Sequence, residues 1–177
     1  MITADKRFQF YGRRKGKSLR RHHSALMDEL LPQLRVAPDN PLAGLGARRW
    51  LEIGFGGGEH LAHQAALHSE VSFIGAEPFV NGVAKLLALV EEANLANVKI
   101  HDHDARPLLE ALPAACFERI YLLYPDPWPK SRHNKRRFVS PETIAHIHRV
   151  LQSDGLFLFA SDIDDYVAWT RAHVAKH

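Results

Sequence analysis

From Arg48 onward, apolar runs of strand length alternate five times with helical patterns, and few folds accommodate that order. The runs are Arg49 to Ile53, Val71 to Ala76, Asn97 to His101, Arg119 to Tyr124 and Gly155 to Ala160. Helical patterns cover about Gly58 to His68 and Val80 to Ala93, and a further helix is expected to start at Asp162 to Asp165 and run through Tyr166, Trp169 and Val174. In the second helix Phe79, Val83, Leu86, Leu87 and Val90 recur at helical spacing while Glu91 and Glu92 face out. Ser140-Pro141-Glu142 opens another helix, with a capping hydroxyl and a proline at the first position. Asp154-Gly155 is expected to turn that connection into the strand Leu156 to Ala160. Strands that alternate with helices in this way form a parallel sheet with helices on both faces. The fold class is therefore α/β, a doubly wound, mostly parallel sheet.

With 177 residues, 46% of them apolar, the chain can build one core of ordinary domain size. The expected division is a basic arm, a short helix and a linker over 1–45, then the α/β domain over 46–177. Ala25 to Leu31 reads as a short amphipathic helix or turn, and Pro32, Pro38, Asn40, Pro41 and Gly44 read as the linker. The net charge of +3 is concentrated locally, because Lys6, Arg7, Arg13, Arg14, Lys15, Lys17, Arg20 and Arg21 crowd the first segment. A polyanion is the natural partner of such an arm. Cys116 is the single cysteine, so no intramolecular disulfide and no cysteine-based metal cage can form. No apolar stretch has the length of a signal peptide or a membrane span, and the expectation is a soluble, cytoplasmic protein.

Glu52-Ile53-Gly54-Phe55-Gly56-Gly57-Gly58 follows the first strand directly and precedes a helix. Glycines there permit positive φ and let a ligand approach the backbone. A dinucleotide fingerprint requires glycine where this chain has Glu59, and acids at Glu52 and Glu59 would repel a pyrophosphate. An acid followed by glycines at Gly54, Gly56 and Gly58 suits instead a ligand with a cationic amine and a sulfonium, of which S-adenosylmethionine is an example. Glu77 ends the second strand about 20 residues further on, where an acid can accept from both hydroxyls of a ribose. Asp104 ends the third strand and could accept from an adenine amino group.

The fourth strand is cut short by Pro125-Asp126-Pro127-Trp128-Pro129-Lys130, since each proline fixes φ and removes a ladder donor. Asp126 is thereby set just beyond a strand's C-terminal end, where parallel sheets bind their ligands. Ser131-Arg132-His133-Asn134-Lys135-Arg136-Arg137 follows at once as a dense cationic loop. Side chains of that kind grip phosphates and leave base reading to other groups.

The run Leu51 to Gly58, Glu77, the Asp104-Ala105 pair, Pro125 to Trp128, Arg132 to Arg137 and the arm Phe10 to Lys17 together resemble the bacterial tRNA (guanine-N7)-methyltransferase family over nearly the whole chain. The resemblance implies a Rossmann-like class I methyltransferase fold, S-adenosylmethionine as methyl donor, and a guanine in the tRNA variable loop as acceptor. It further implies that Glu52, Gly54, Gly56, Gly58, Glu77, Asp104, Ala105 and Asp126 line the cofactor site, with Asp126 as the catalytic acid. Lys130 and Asp162 would contact substrate, and Arg132, His133, Asn134, Lys135, Arg136 and Arg137 would hold the RNA. Family members continue past the fifth strand with two more strands and a Thr-x-x-Glu type motif that binds the guanine. This sequence shows neither, so a module that binds cofactor and RNA but is impaired in transfer stands as the alternative to an active enzyme.

Guanine N7 carries an in-plane lone pair and no proton, so its attack on a sulfonium methyl requires positioning and no general base. Methylation leaves positive charge on the purine, and a carboxylate about 4 Å away at an effective dielectric of 20 would be worth roughly 4 kcal/mol. Asp126 is expected to act through that electrostatic stabilisation. Tyr124 or Trp128 could stack on the extruded base. His60 with His63, His101 with His103, and His146 with His148 have no acid or cysteine at a recognised ligand spacing, and no metal is expected.

Overall fold

A computed structural model of the chain describes residues 9–177. Lys6 and Arg7 of the basic arm lie outside the described residues. The sheet consists of β1 (Arg49–Ile53), β2 (Ser72–Ala76), β3 (Val98–His101), β4 (Phe117–Leu123) and β5 (Leu151–Ala160), arranged in the order β3-β2-β1-β4-β5. Every adjacent pair is parallel. The order reverses between β1 and β4, which opens a crevice at their C-terminal ends.

Strand alternation divides the interior in two. Leu51 and Ile53 of β1, Ile74 and Ala76 of β2, and Ile120 and Leu122 of β4 face one layer, while Trp50, Phe73 and Tyr121 face the other. The second layer is covered by α3 (Glu59–Leu67) and α4 (Val80–Glu92), with Val83, Leu86, Leu87 and Val90 buried at the expected helical spacing. Burying each such side chain contributes about 1.5–3 kcal/mol. The first layer is covered by α5 (Ala105–Ala111), α6 (Pro141–Val150) and α7 (Asp164–Val174). Ser140 caps α6 in a reciprocal capping box with Thr143, and Pro141 occupies the first turn as its sequence predicts.

Three details depart from the sequence reading. The helix expected at Ala25 to Leu31 forms as α1 (Arg21–Glu29) and buries Leu26, but the start of the stretch read as a linker is a further helical turn, α2 (Leu31–Leu34), which buries Leu31 and takes Pro32 in its first turn, where its missing N–H costs nothing. Val36 then donates to the Ile100 carbonyl at 2.9 Å, and Arg35 forms a two-pronged pair with Asp102 at 2.9 Å per bond. The second departure is α5, a seven-residue helix too short to show periodicity, with Pro107 tolerated in its first turn. The third is β5, which starts at Leu151 and carries Asp154-Gly155 inside the strand. Leu151 pairs with Phe117 and Leu156 with Arg119, so the extra β5 residues bulge out where a turn was expected. β5 is the last strand at its side of the sheet among the described residues, and Leu156 is exposed there.

Candidate functional site

The crevice between β1 and β4 opens into a cavity of about 460 Å³. Its walls include Gly54 and Gly56 after β1, Glu77 after β2, Asp104 and Ala105 after β3, and Tyr124, Asp126 and Trp128 after β4. Arg136, Arg137 and the arm residues Gln9 to Arg13 complete it. Acids that are 27 and 22 residues apart in sequence therefore meet because three parallel strands end on one edge.

Glu77 is held rigidly. Its Oε2 accepts from the Gly56 amide at 2.8 Å and its Oε1 from the Phe79 amide at 2.9 Å, so one carboxylate fixes both the glycine loop and the start of α4. Burial raises its pKa, the two backbone N–H groups oppose that rise, and the nearby charge of Asp126 adds to it. The loop itself needs glycine for a packing reason at Gly58, which has φ of 82° and whose missing Cβ would stand 2.7 Å from Leu86. Gly58 thus lets the loop rest on α4 and does not line the cavity.

Glu52 also stands apart from the cavity walls. Alternation along β1 turns it toward α3, where its Oε2 is 2.7 Å from His60 Nδ1 and only 4% of the residue is exposed. Burial raises the Glu52 pKa, and the His60 contact opposes the rise. Asp104 lines the cavity with a carboxylate already engaged: it caps α5 by accepting from the Arg106 amide at 3.0 Å and pairs with the Arg106 guanidinium. Buried His101 supports that corner by donating from Nε2 to the Asp104 carbonyl at 2.9 Å, and burial lowers its pKa.

The proline tip is held in an unusual backbone shape. Tyr124 and Trp128, which bracket it, adopt φ of 49° and 44°, the left-handed region that costs a side-chain-bearing residue about 1–2 kcal/mol. Arg137 supplies part of what holds it. Its guanidinium is buried between the rings of Tyr166 and Trp169, at 5.0 and 5.1 Å, donates from Nε to the Pro127 carbonyl at 2.9 Å, and pairs with Asp165. This corrects the expectation for Arg137 as a phosphate-gripping cation, because the chain turns inward after the 3-10 helix Ser131–Arg136. Arg136 lies 4.9 Å from both the Tyr11 and Trp128 ring centres.

Lys130, Arg132 and Lys135 are exposed beside the cavity mouth, with His133 and Asn134 half-buried among them, and none of the five lines the cavity. The His133 pKa is lowered by lost hydration and then by the surrounding cations. Asp162 is exposed just past the end of β5, also outside the cavity lining.

Sequence reasoning missed several neighbours. Asn81 clasps the arm, accepting from the Gly16 amide and donating to the Lys17 carbonyl, both at 2.7 Å, and Val80 donates to the Arg14 carbonyl. Gly82 carries no Cβ because one would stand 2.1 Å from the Gly56 carbonyl. Neither has a local motif that marks it. Away from the cavity, Glu110, Glu142 and His146 bring ligand atoms within 4.8 Å of one another, a grouping hidden from linear spacing because Glu110 comes from α5 and the others from α6.

A family model described as a putative methyltransferase matches residues 47–177. A tRNA (guanine-N(7)-)-methyltransferase of Agrobacterium fabrum is 53% identical over 95% of this chain and 76% of its own length. The protein of the same name from Rhizobium meliloti is 50% identical over the same shares. Among solved structures, a precorrin-6y C5,15-methyltransferase from Geobacter metallireducens superposes with a TM-score of 0.61 at 16% identity, covering 98% of this chain and 77% of that one, which speaks to the fold alone. Identity near one half over 95% of its length places this chain in the tRNA (guanine-N7)-methyltransferase family.

Proposed function

We propose that this chain transfers the methyl group of S-adenosylmethionine to N7 of a guanine in the variable loop of tRNA. The observation that carries the reading is that Asp126, beyond β4, and the glycine loop, beyond β1, line one cavity across the point where the strand order reverses. The cavity fits the cofactor by its donor set. Glu77 offers acceptors to a ribose, the glycines at Gly54 and Gly56 leave the backbone open, and the acids Glu77, Asp104 and Asp126 suit a cationic ligand better than a phosphate. When bound, the cofactor supplies an electrophilic methyl on a positively charged sulfur.

The chain's own residues then orient and compensate. Guanine N7 uses its lone pair to form the new C–N bond as the C–S bond breaks, so no proton has to move. Asp126 faces the positive charge that arrives on the purine and stabilises it electrostatically. Lys130, Arg132 and Lys135, with the arm cations from Arg13 to Arg21, present a positive surface around the mouth for the tRNA backbone. No helix among the described residues is long and apolar enough to cross a membrane. The reaction would run in the cytoplasm, where its tRNA substrate resides.

Incubating the chain with tRNA and methyl-labelled S-adenosylmethionine tests the reading. Label is expected in tRNA and is expected to vanish when the variable-loop guanine is replaced by 7-deazaguanine, which lacks the attacking nitrogen. Binding of tRNA without transfer would favour the impaired-module alternative.

A further inference from the structure

Two aromatic residues stand at the cavity mouth beside Asp126, and their surroundings differ. Trp128 is already engaged. The Tyr11 ring meets it at 6.3 Å and 71°, the His133 ring at 6.0 Å and 85°, and the Arg136 guanidinium lies 4.9 Å from its centre. Opening a Trp128 face to a base would require displacing the arm or Arg136.

Tyr124 is unclaimed. It lines the cavity, it is 69% exposed, and its side chain has no hydrogen-bond or ring partner among the described residues. The other large exposed apolar residues among the described residues, Leu67, Leu156 and Val174, are aliphatic. Its backbone is fixed even though its ring is open: the amide donates to the Ala160 carbonyl at 2.8 Å, and φ is 49°. An aromatic ring left in water on a strained, anchored backbone, two residues from Asp126, has no packing role, and such strain at a cavity mouth points to a ligand.

We propose that Tyr124 is the platform on which the extruded target guanine stacks, while Trp128, clamped by Tyr11, His133 and Arg136, holds the shape of the proline tip. The inference rests on the guanine-N7 reading above and adds the residue that orients the base. Stacking on Tyr124 presents the in-plane N7 lone pair to the cavity, because the ring face takes the π surface of the purine and leaves its edge free. The platform accepts a purine by shape and not by hydrogen bonds, so sequence preference has to come from other contacts.

The test pairs Tyr124→Leu, which keeps bulk and loses the π face, with Tyr124→Phe, which keeps it. Tyr124→Leu is expected to lower kcat/KM for tRNA by about 5- to 100-fold, with the cofactor Kd and the unfolding temperature unchanged, and Tyr124→Phe is expected to stay within about twofold of the wild type. Independently of turnover, tRNA carrying 2-aminopurine at the target position is expected to be quenched by the wild type and by Tyr124→Phe and to brighten in Tyr124→Leu. Wild-type turnover and quenching in Tyr124→Leu would overturn the proposal, as would quenching lost in Trp128→Leu and kept in Tyr124→Leu. Quenching that follows Tyr124 in a wild-type chain that transfers no methyl group would overturn the methyltransferase reading and leave the platform standing.

Discussion

Oε2 of Glu77 accepts a 2.8 Å hydrogen bond from the amide of Gly56, so the acid that ends β2 also sets the conformation of the glycine loop that follows β1. Its other oxygen fixes the Phe79 amide at the entry to α4. The cavity wall at Glu77 and the glycine loop are therefore one hydrogen-bonded unit.

Glu77→Gln places an NH2 group against one of those two amides and removes the charge. A lost charge-assisted hydrogen bond costs about 1.5–3 kcal/mol, so the cofactor Kd is expected to rise roughly 10- to 150-fold with tRNA affinity unchanged, which calorimetry with each ligand separately would measure. The pH dependence has a defined sign. Burial raises the Glu77 pKa, so the native chain holds this proton more tightly than the unfolded chain does. Its contribution to stability is favourable at low pH and is lost as pH rises from the ordinary carboxylate value through the raised one. Cofactor affinity is expected to run the other way, falling as pH drops through the raised pKa, and in Glu77→Gln that fall is expected to flatten.

Arg137→Ala removes a buried cation from between Tyr166 and Trp169 and leaves the Pro127 carbonyl without its donor. The expected cost is about 2–4 kcal/mol, or roughly 5–15 °C in unfolding temperature for a chain of this size. Arg137→Lys is expected to recover little of it, since an ammonium cannot stack between two rings while reaching both Pro127 and Asp165.

The exposed cations behave differently. Replacing Lys130, Arg132 and Lys135 together with alanine is expected to leave the unfolding temperature within about 2 °C of the wild type. The slope of log affinity for tRNA against log salt is expected to flatten by about 2–3, given roughly 0.7–0.9 per phosphate contact. Filter binding from low to moderate salt measures it, and an unchanged slope would remove these residues from the RNA surface.

Gly82→Ala introduces a Cβ where the Gly56 carbonyl lies 2.1 Å away, a backbone atom that cannot swing aside. Either α4 or the glycine loop must shift. The variant is expected to lose about 1–3 kcal/mol of stability and to bind the cofactor at least about tenfold more weakly, whereas alanine at exposed Gly44, where nothing lies within 4 Å of a Cβ, is expected to leave cofactor binding intact despite its positive φ.

How legible was all this in the sequence? The five strands, the long amphipathic helix with Val83, Leu86, Leu87 and Val90, and the capped α6 were written in local periodicity and capping residues, which act over a few positions. The strand-end acids Glu77, Asp104 and Asp126 were legible for the same reason: once strands are parallel, their C-terminal ends share an edge. What escaped depends on distant partners. Arg137 looks like its neighbours in sequence and is distinguished only by Tyr166 and Trp169, which are 29 and 32 residues away. Glu52 turns from the cavity because β1 alternates, and its partner His60 arrives from the next helix. The packing of the arm on Asn81 and Trp128 joins segments with no shared pattern.

Asp126→Asn isolates the last link between geometry and rate. The side chain is exposed at the cavity mouth, and the substitution keeps its shape while removing its charge. Because N7 needs no base, a role in proton abstraction would predict nothing for methyl transfer; a role in opposing purine charge predicts a loss of up to about 4 kcal/mol in the transition state. The rate is therefore expected to fall roughly a hundredfold to a thousandfold under single-turnover conditions. Cofactor affinity at neutral pH is expected to persist, since Glu77 keeps both of its backbone donors. Asp126 also contributes to raising the Glu77 pKa, so its neutralisation should let cofactor binding hold to lower pH than in the wild type. Near-normal turnover in Asp126→Asn would take the electrostatic role away from Asp126, and the shifted pH profile would still report whether the two acids feel each other.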